Sequence, residues 1–159
     1  MKIVYQSIGI IHSPFTDLAQ MPIQPTGDAS AARFAEIFPD FVEGLKDING
    51  FSHVILLYHL HQISTLKLVV TPFLDSEPRG VFSTRAPVRP NPIGISVVRL
   101  TRMNDNVLHF ADLDVLDGTP LLDIKPYIPD FDAPTDVRVG WLENVNHDVR
   151  SMKSDDRFT

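Results

Sequence analysis

A chain of 159 residues, 43% of them hydrophobic, fits one domain large enough to bury a core. It contains no cysteine, which excludes disulfides, thiolate metal sites and cysteine nucleophiles. A net charge of -6 argues against broad, nonspecific binding to phosphate backbones and leaves only a local basic patch open.

The N-terminal stretch "MKIVYQSIGIIHSPF" alternates polar with apolar residues and lacks the continuous apolar core of an export signal. No run approaches the ~20 apolar residues of a membrane span, so a cytoplasmic protein is expected. Residues 5–15 read as a strand ending at Ser13-Pro14, and 16–30, rich in Pro, Gly, Thr and Asp, as a loop. Residues 32–50 hold the best helical signals. Asp40 is placed to cap a short helix with Phe41, Leu45 and Ile48 on one side, ended by Gly50. "SHVILLYHLHQI" (52–63) is strongly β-prone and apolar on both faces, so a central strand is expected. A further strand is read at 66–73. Residues 93–103 and 107–116 read as strands flanking an Asn104-Asp105-Asn106 turn of hairpin length. A last strand covers 120–128 and a short helix 139–145. Six or seven strands without βαβ alternation predict a mainly antiparallel sheet closed into a small barrel. Residues 1–150 are expected to form this one domain and 151–159 a flexible tail.

Two segments stand out chemically. In "FSTRAPVRPNPIGISVVRL" (82–100), Pro87, Pro90 and Pro92 hold the chain extended and remove backbone donors. Such a segment loses little further entropy when a ligand docks. Arg85 and Arg89 offer planar forks suited to carboxylates or phosphates. The residues alone equally fit a stiff loop with two solvated arginines. In "DGTPLLDIKPY" (117–127), Asp117 and Gly118 suit a turn, and aspartate is a common partner of ribose hydroxyls. Asp123, Lys125 and Tyr127 share a strand face. His53, His59 and His61 fall on one side of a regular strand; the pair His59-x-His61 invites a metal, but no carboxylate follows closely to act as the third ligand of a catalytic zinc site, so no metal is expected. Neither a dinucleotide-binding glycine fingerprint, a P-loop nor a serine-hydrolase elbow occurs.

"SIGIIHSPF", "FSHVILLYHLHQ", "GVFSTRAPVRPNPIGISVVRL" and "LDGTPLLDIKPYIP", taken in order, resemble the signature segments of the TsaA-like family, which includes the TrmO tRNA methyltransferases. The match runs from about Ile8 to Pro129. The resemblance implies a small β-barrel that binds S-adenosyl-L-methionine without a Rossmann domain, as a homodimer with the cofactor near the subunit interface. It implies methylation of N6-threonylcarbamoyladenosine beside the anticodon of tRNA. By position it assigns the cofactor to Pro22, Ile23, Gln24, His61, Gln62, Arg85, Ile95, Asp117, Gly118, Thr119 and Pro120. At Ile23 bacterial members often carry a basic residue. A base for the substrate N–H is sought among His61, Asp117 and Asp123. Arg89, Asn91, Lys125 and Tyr127 are the candidates for substrate contact, as cations for phosphate or carboxylate and an aromatic for stacking. The competing readings are a methyltransferase acting on a small molecule or another RNA, and a cofactor-binding module that performs no transfer.

Overall fold

The computed structural model describes residues 1–17, 32–72 and 76–144. Six strands carry the fold: β1 (Gly9–His12), β2 (Phe34–Ile37), β3 (His53–His59), β6 (Ile93–Asn104), β7 (Val107–Ala111) and β8 (Thr119–Pro126). They pair antiparallel in the order β1-β2-β7-β6-β3-β8, and β8 returns to β1, which closes the sheet into a barrel. A separate two-stranded ribbon pairs β4 (Val69–Val70) with β5 (Arg79–Gly80).

Strand alternation sends one set of side chains inward. Ile11, Ala35, Ile37, Val54, Leu56, Tyr58, Val98, Leu108, Phe110 and Leu121 form the buried barrel core. Leu113 and Val115 add to it from the segment between β7 and β8. A smaller cluster of Val70, Val81, Ala86 and Val88 lies under the ribbon and the proline-rich segment. That segment is therefore fixed by two buried side chains as well as by its prolines. The Lys67 N–H donates to the Val88 carbonyl (3.0 Å) and the Leu60 N–H to the Pro92 carbonyl (2.8 Å).

The mainly β expectation holds, with corrections in detail. Residues 34–37, read as part of a helical stretch, form β2. The helix that follows is 3₁₀, Pro39–Leu45, with Phe38 at its N-cap and Asp40 inside its first turn. Leu45 is buried and Phe41 and Ile48 pack on the core as expected. The strand read at 66–73 shortens to Val69–Val70, and that at 107–116 stops at Ala111. Asp112 takes a left-handed backbone (φ 57°), which ends the strand and opens an irregular segment. The helix read at 139–145 is 3₁₀, Gly140–Asn144, with Pro129–Asp132 forming one short α-helix, α1. The tail 151–159 lies outside the described residues.

Register brings the unusual segments together. The end of β3 lies beside the start of β6 (His59 opposite Ile93) and beside the start of β8 (Tyr58 opposite Leu121). The chain leaving β3, the proline-rich segment entering β6 and the turn entering β8 therefore meet at one rim of the barrel.

Candidate functional site

At that rim lies a cleft of about 100 Å³ lined by Tyr58, Leu60, His61, Gln62, Ile63, Pro87, Asp114, Val115, Leu116 and Thr119. Each of the three converging segments contributes. The lining is largely apolar, with a few polar groups set into it, the usual make-up of a small-molecule site. Its volume is below the ~300 Å³ at which ligand clefts usually begin, so it suits one end of a ligand.

The polar groups are ordered by one another. The Thr119 hydroxyl donates to the Leu116 carbonyl (2.7 Å) and lies 3.3 Å from His61 Nδ1. A hydroxyl that donates elsewhere accepts here, so Nδ1 carries the imidazole proton and Nε2 the lone pair. Partial burial, and then the neighbouring His59, hold the His61 pKa below the usual histidine value. The ring is thus neutral at pH 7. Tyr58 stacks its ring over Gly94 and its hydroxyl lies 3.0 Å from Ser96 Oγ. Burial raises its pKa above the usual phenol value; the Ser96 hydrogen bond opposes that, and Asp114 raises and Arg85 lowers it to a lesser degree. Asp114 is itself pushed up from the ordinary carboxylate value by burial.

Asp117 sits just behind the lining. Its Oδ1 accepts from the Ser13 N–H (3.1 Å) and lies 3.2 Å from His12 Nδ1. Its own N–H donates to the Phe15 carbonyl (2.7 Å), and the Gly118 N–H to that of Ile11 (3.0 Å). Gly118 has φ 75° with open space where a Cβ would stand, so backbone conformation is what calls for glycine there. These bonds pin the turn to the end of β1 and hold Thr119 and Leu116 at the cleft.

The residues singled out in the sequence separate into three groups. His61, Gln62 and Thr119 line the cleft. Arg85 does not line it: it is exposed, two residues before the lining residue Pro87, with no hydrogen bond or ion pair among the described residues. Pro120, half-buried, pairs with Ile10 on β1. A second group lies on the outer face of β3, β6 and β8. Asp123 and Lys125 form an ion pair (2.8 Å) opposite Leu57 and Ile55, Tyr127 meets His53 edge-on (6.4 Å), and Ile95 is half-exposed opposite Leu57. Arg89 and Asn91 form the third. Arg89 folds back: its Nη1 donates to the carbonyls of Val81 (3.1 Å), Thr84 (2.8 Å) and Ala86 (3.3 Å), and its guanidinium lies over Phe82. Asn91 is exposed, and its backbone carbonyl accepts from the Ile93 N–H (2.8 Å). Pro22, Ile23 and Gln24 lie outside the described residues.

Sequence reading missed Asp114 and Tyr58. Both had been absorbed into regular strands. The sequence signal for Asp114 is "DLDVLDG", three aspartates spaced through buried Leu113, Val115 and Leu116, a pattern no single strand can satisfy. Among the described residues no group of three or more His, Asp or Glu could hold a metal.

Fold and site together define a closed antiparallel barrel with a largely apolar cleft where three strand ends meet. The chain belongs to the family whose model is the tRNA-methyltransferase O N-terminal domain, matched over residues 10–133. It is 52% identical, over 99% of its length and 86% of the relative's, to a probable S-adenosyl-L-methionine-binding protein of Pyrococcus abyssi. The human tRNA (adenine(37)-N6)-methyltransferase is 31% identical over 99% of this chain but 38% of its own length. The crystal structure of TrmO from Pseudomonas aeruginosa superposes with a TM-score of 0.73 at 41% identity, covering 89% of this chain and 63% of that one. The chain therefore spans less than two thirds of the solved TrmO and little more than a third of the human enzyme.

Proposed function

We propose that this protein binds S-adenosyl-L-methionine at the rim cleft and transfers its methyl group to N6 of a threonylcarbamoyl-modified adenosine in tRNA. The observation that carries the reading is the cleft itself: an apolar lining with one carboxylate and one neutral imidazole, on a segment that also carries the exposed Arg85, in a chain of the TrmO family. An apolar wall suits the adenosyl part, Asp114 a cationic sulfonium, and Arg85 the carboxylate of the amino acid end.

The cofactor supplies an electrophilic methyl on a sulfonium. The chain's task is to align the N6 nitrogen with it, an effect worth up to ~7–11 kcal/mol in favourable intramolecular models. The N6 lone pair is delocalised, so removal of its proton makes it a better nucleophile. Among the candidate bases, His61 has the fitting state, a neutral ring whose Nδ1 proton is held by Thr119. Asp117 is tied to His12 and Ser13, and Asp123 is paired with Lys125 on the outer face. In the proposed step the N6 proton passes to His61 Nε2, the methyl–sulfur bond breaks as the methyl–nitrogen bond forms, and the thioether leaves neutral. Arg89 then braces the loop that carries Arg85.

The small volume of the cleft and the exposed apolar strip on β6 fit a homodimer whose second subunit completes the site. No helix among the described residues is long and apolar enough to cross a membrane. Calorimetry with S-adenosyl-L-methionine and transfer of labelled methyl to tRNA carrying threonylcarbamoyladenosine test the proposal. Saturable binding and label in that tRNA are expected. No saturation at millimolar cofactor would refute the cofactor site, and binding with turnover to S-adenosylhomocysteine but no label in tRNA would redirect the search to other acceptors.

A further inference from the structure

Behind the Asp117 turn, the outer face of the barrel carries an ordered row of rings. His12 on β1 lies opposite Phe34 on β2, Phe34 opposite His109 on β7, and His109 opposite Arg102 on β6. His12 and Phe34 stack with centroids 4.8 Å apart and planes 28° apart, and Phe34 and His109 lie tilted at 5.8 Å. All three rings are half-exposed, and Arg102 is exposed. At its other end the row meets Asp117 through His12, next to Leu116 and two residues from Thr119, both of which line the cleft. Arg99, also exposed, continues the basic end on β6, and Glu36 is the acidic residue flanking the row on β2.

We propose that this row is a stacking platform for unpaired RNA bases flanking the nucleotide held at the cleft, with Arg102 meeting the phosphate chain. The assignment of the target nucleotide to the cleft rests on the reading above; the platform itself rests on the rings. Aromatic surface presented in register along a sheet, with a cation beside it, is the chemistry by which single strands are held with little regard to sequence. The pairing of rings across strands also stabilises the sheet, so the test must separate the two roles.

The probe is a short single-stranded oligoribonucleotide of A and U with one aminopurine, whose emission falls when it stacks; the matching duplex is the comparison. The full-length protein is expected to bind the single strand in preference to the duplex and to quench the probe. Phe34→Leu keeps apolar bulk and removes the ring. It is expected to weaken binding about ten-fold and lose the quench, with melting temperature and cofactor binding unchanged. His109→Ala carries the same test should Phe34→Leu lower the melting temperature. Arg102→Ala is expected to flatten the dependence of log affinity on log salt by about one phosphate contact. Wild-type affinity in both ring variants, or equal binding of duplex without quench, overturns the platform. Cofactor binding without any RNA binding overturns it while leaving the cofactor site standing. RNA binding and quench without cofactor binding does the reverse.

Discussion

The two arginines of one short segment show how far residue identity alone can mislead. By chemistry alone Arg85 and Arg89 are two like cations on one proline-stiffened loop, which the family resemblance divides between cofactor and substrate. In the fold Arg89 is enclosed by three carbonyls of its own loop, whereas Arg85 is exposed, two residues before Pro87 of the cleft lining. Arg89→Ala removes bonds from a charged donor, each worth ~1.5–3 kcal/mol. It is expected to lower stability by about 1–3 kcal/mol in urea unfolding. Arg85→Ala is expected to leave stability unchanged and to weaken S-adenosyl-L-methionine in calorimetry. The opposite pattern would exchange their roles. Asp114 gives a second separation, between stability and function. Its folded-state pKa is raised from 3.8 by burial, so its contribution to stability is fully present below pH 3.8 and is lost as pH rises through the raised value. At neutral pH the ionised group therefore works against the fold. Asp114→Asn is expected to raise the melting temperature at pH 7. It should also weaken S-adenosyl-L-methionine more than S-adenosylhomocysteine, which lacks the positive sulfur. Equal weakening of both would detach Asp114 from the sulfonium.

Gly94 in β6 shows how an element is fitted to its neighbour. A Cβ there would stand 2.1 Å from the Tyr58 ring, which is buried and held by Ser96. Glycine lets the ring lie flat across β6 and lets Tyr58 reach the cleft. Gly94→Ala is expected to cost ~1–3 kcal/mol by overpacking, seen as a lower unfolding midpoint, and to weaken cofactor binding as the ring moves. Stability equal to wild type would mean that the ring shifts freely. Among the elements, β3, β6 and β8 were legible because their runs are long, β-branched and bounded by turn residues. β2 was not: four residues, Phe-Ala-Glu-Ile, look helical in isolation and become a strand only because β1 and β7 pair on both sides. The segment after Ala111 was equally opaque, because the left-handed backbone of Asp112 interrupts an apolar run that looks continuous. That break is what turns Asp114 toward the cleft, so the site was only partly legible. Of the cleft lining, His61, Gln62 and Thr119 stand in segments that the family resemblance singles out, whereas Asp114 and Tyr58 depend on register and on one unusual φ.

At the scale of the whole molecule, the outer face of β6 carries an apolar strip. Ile93, Ile95 and Val97 are 37%, 51% and 53% exposed in sequence alternation, with half-buried Ile55 and Leu57 beside them on β3. An apolar strip continuous across two strands is the kind of surface that marks a contact with another protein. Along its β8 side the strip is bordered by the Asp123–Lys125 ion pair and by Tyr127, a polar edge beside an apolar centre. The same strand begins at the cleft rim, so a second subunit packed on the strip lies next to a cleft too small for a whole cofactor. Val97→Asp places an unpaired charge in the middle of the strip while leaving the core residues, Val98 among them, untouched. It is expected to shift the protein from dimer to monomer in sedimentation velocity, keep the antiparallel-sheet circular dichroism, and weaken cofactor binding at least ten-fold. A monomeric wild type would remove the dimer from the proposal. A monomeric variant that binds cofactor as tightly as wild type would show that each cleft is complete in one chain.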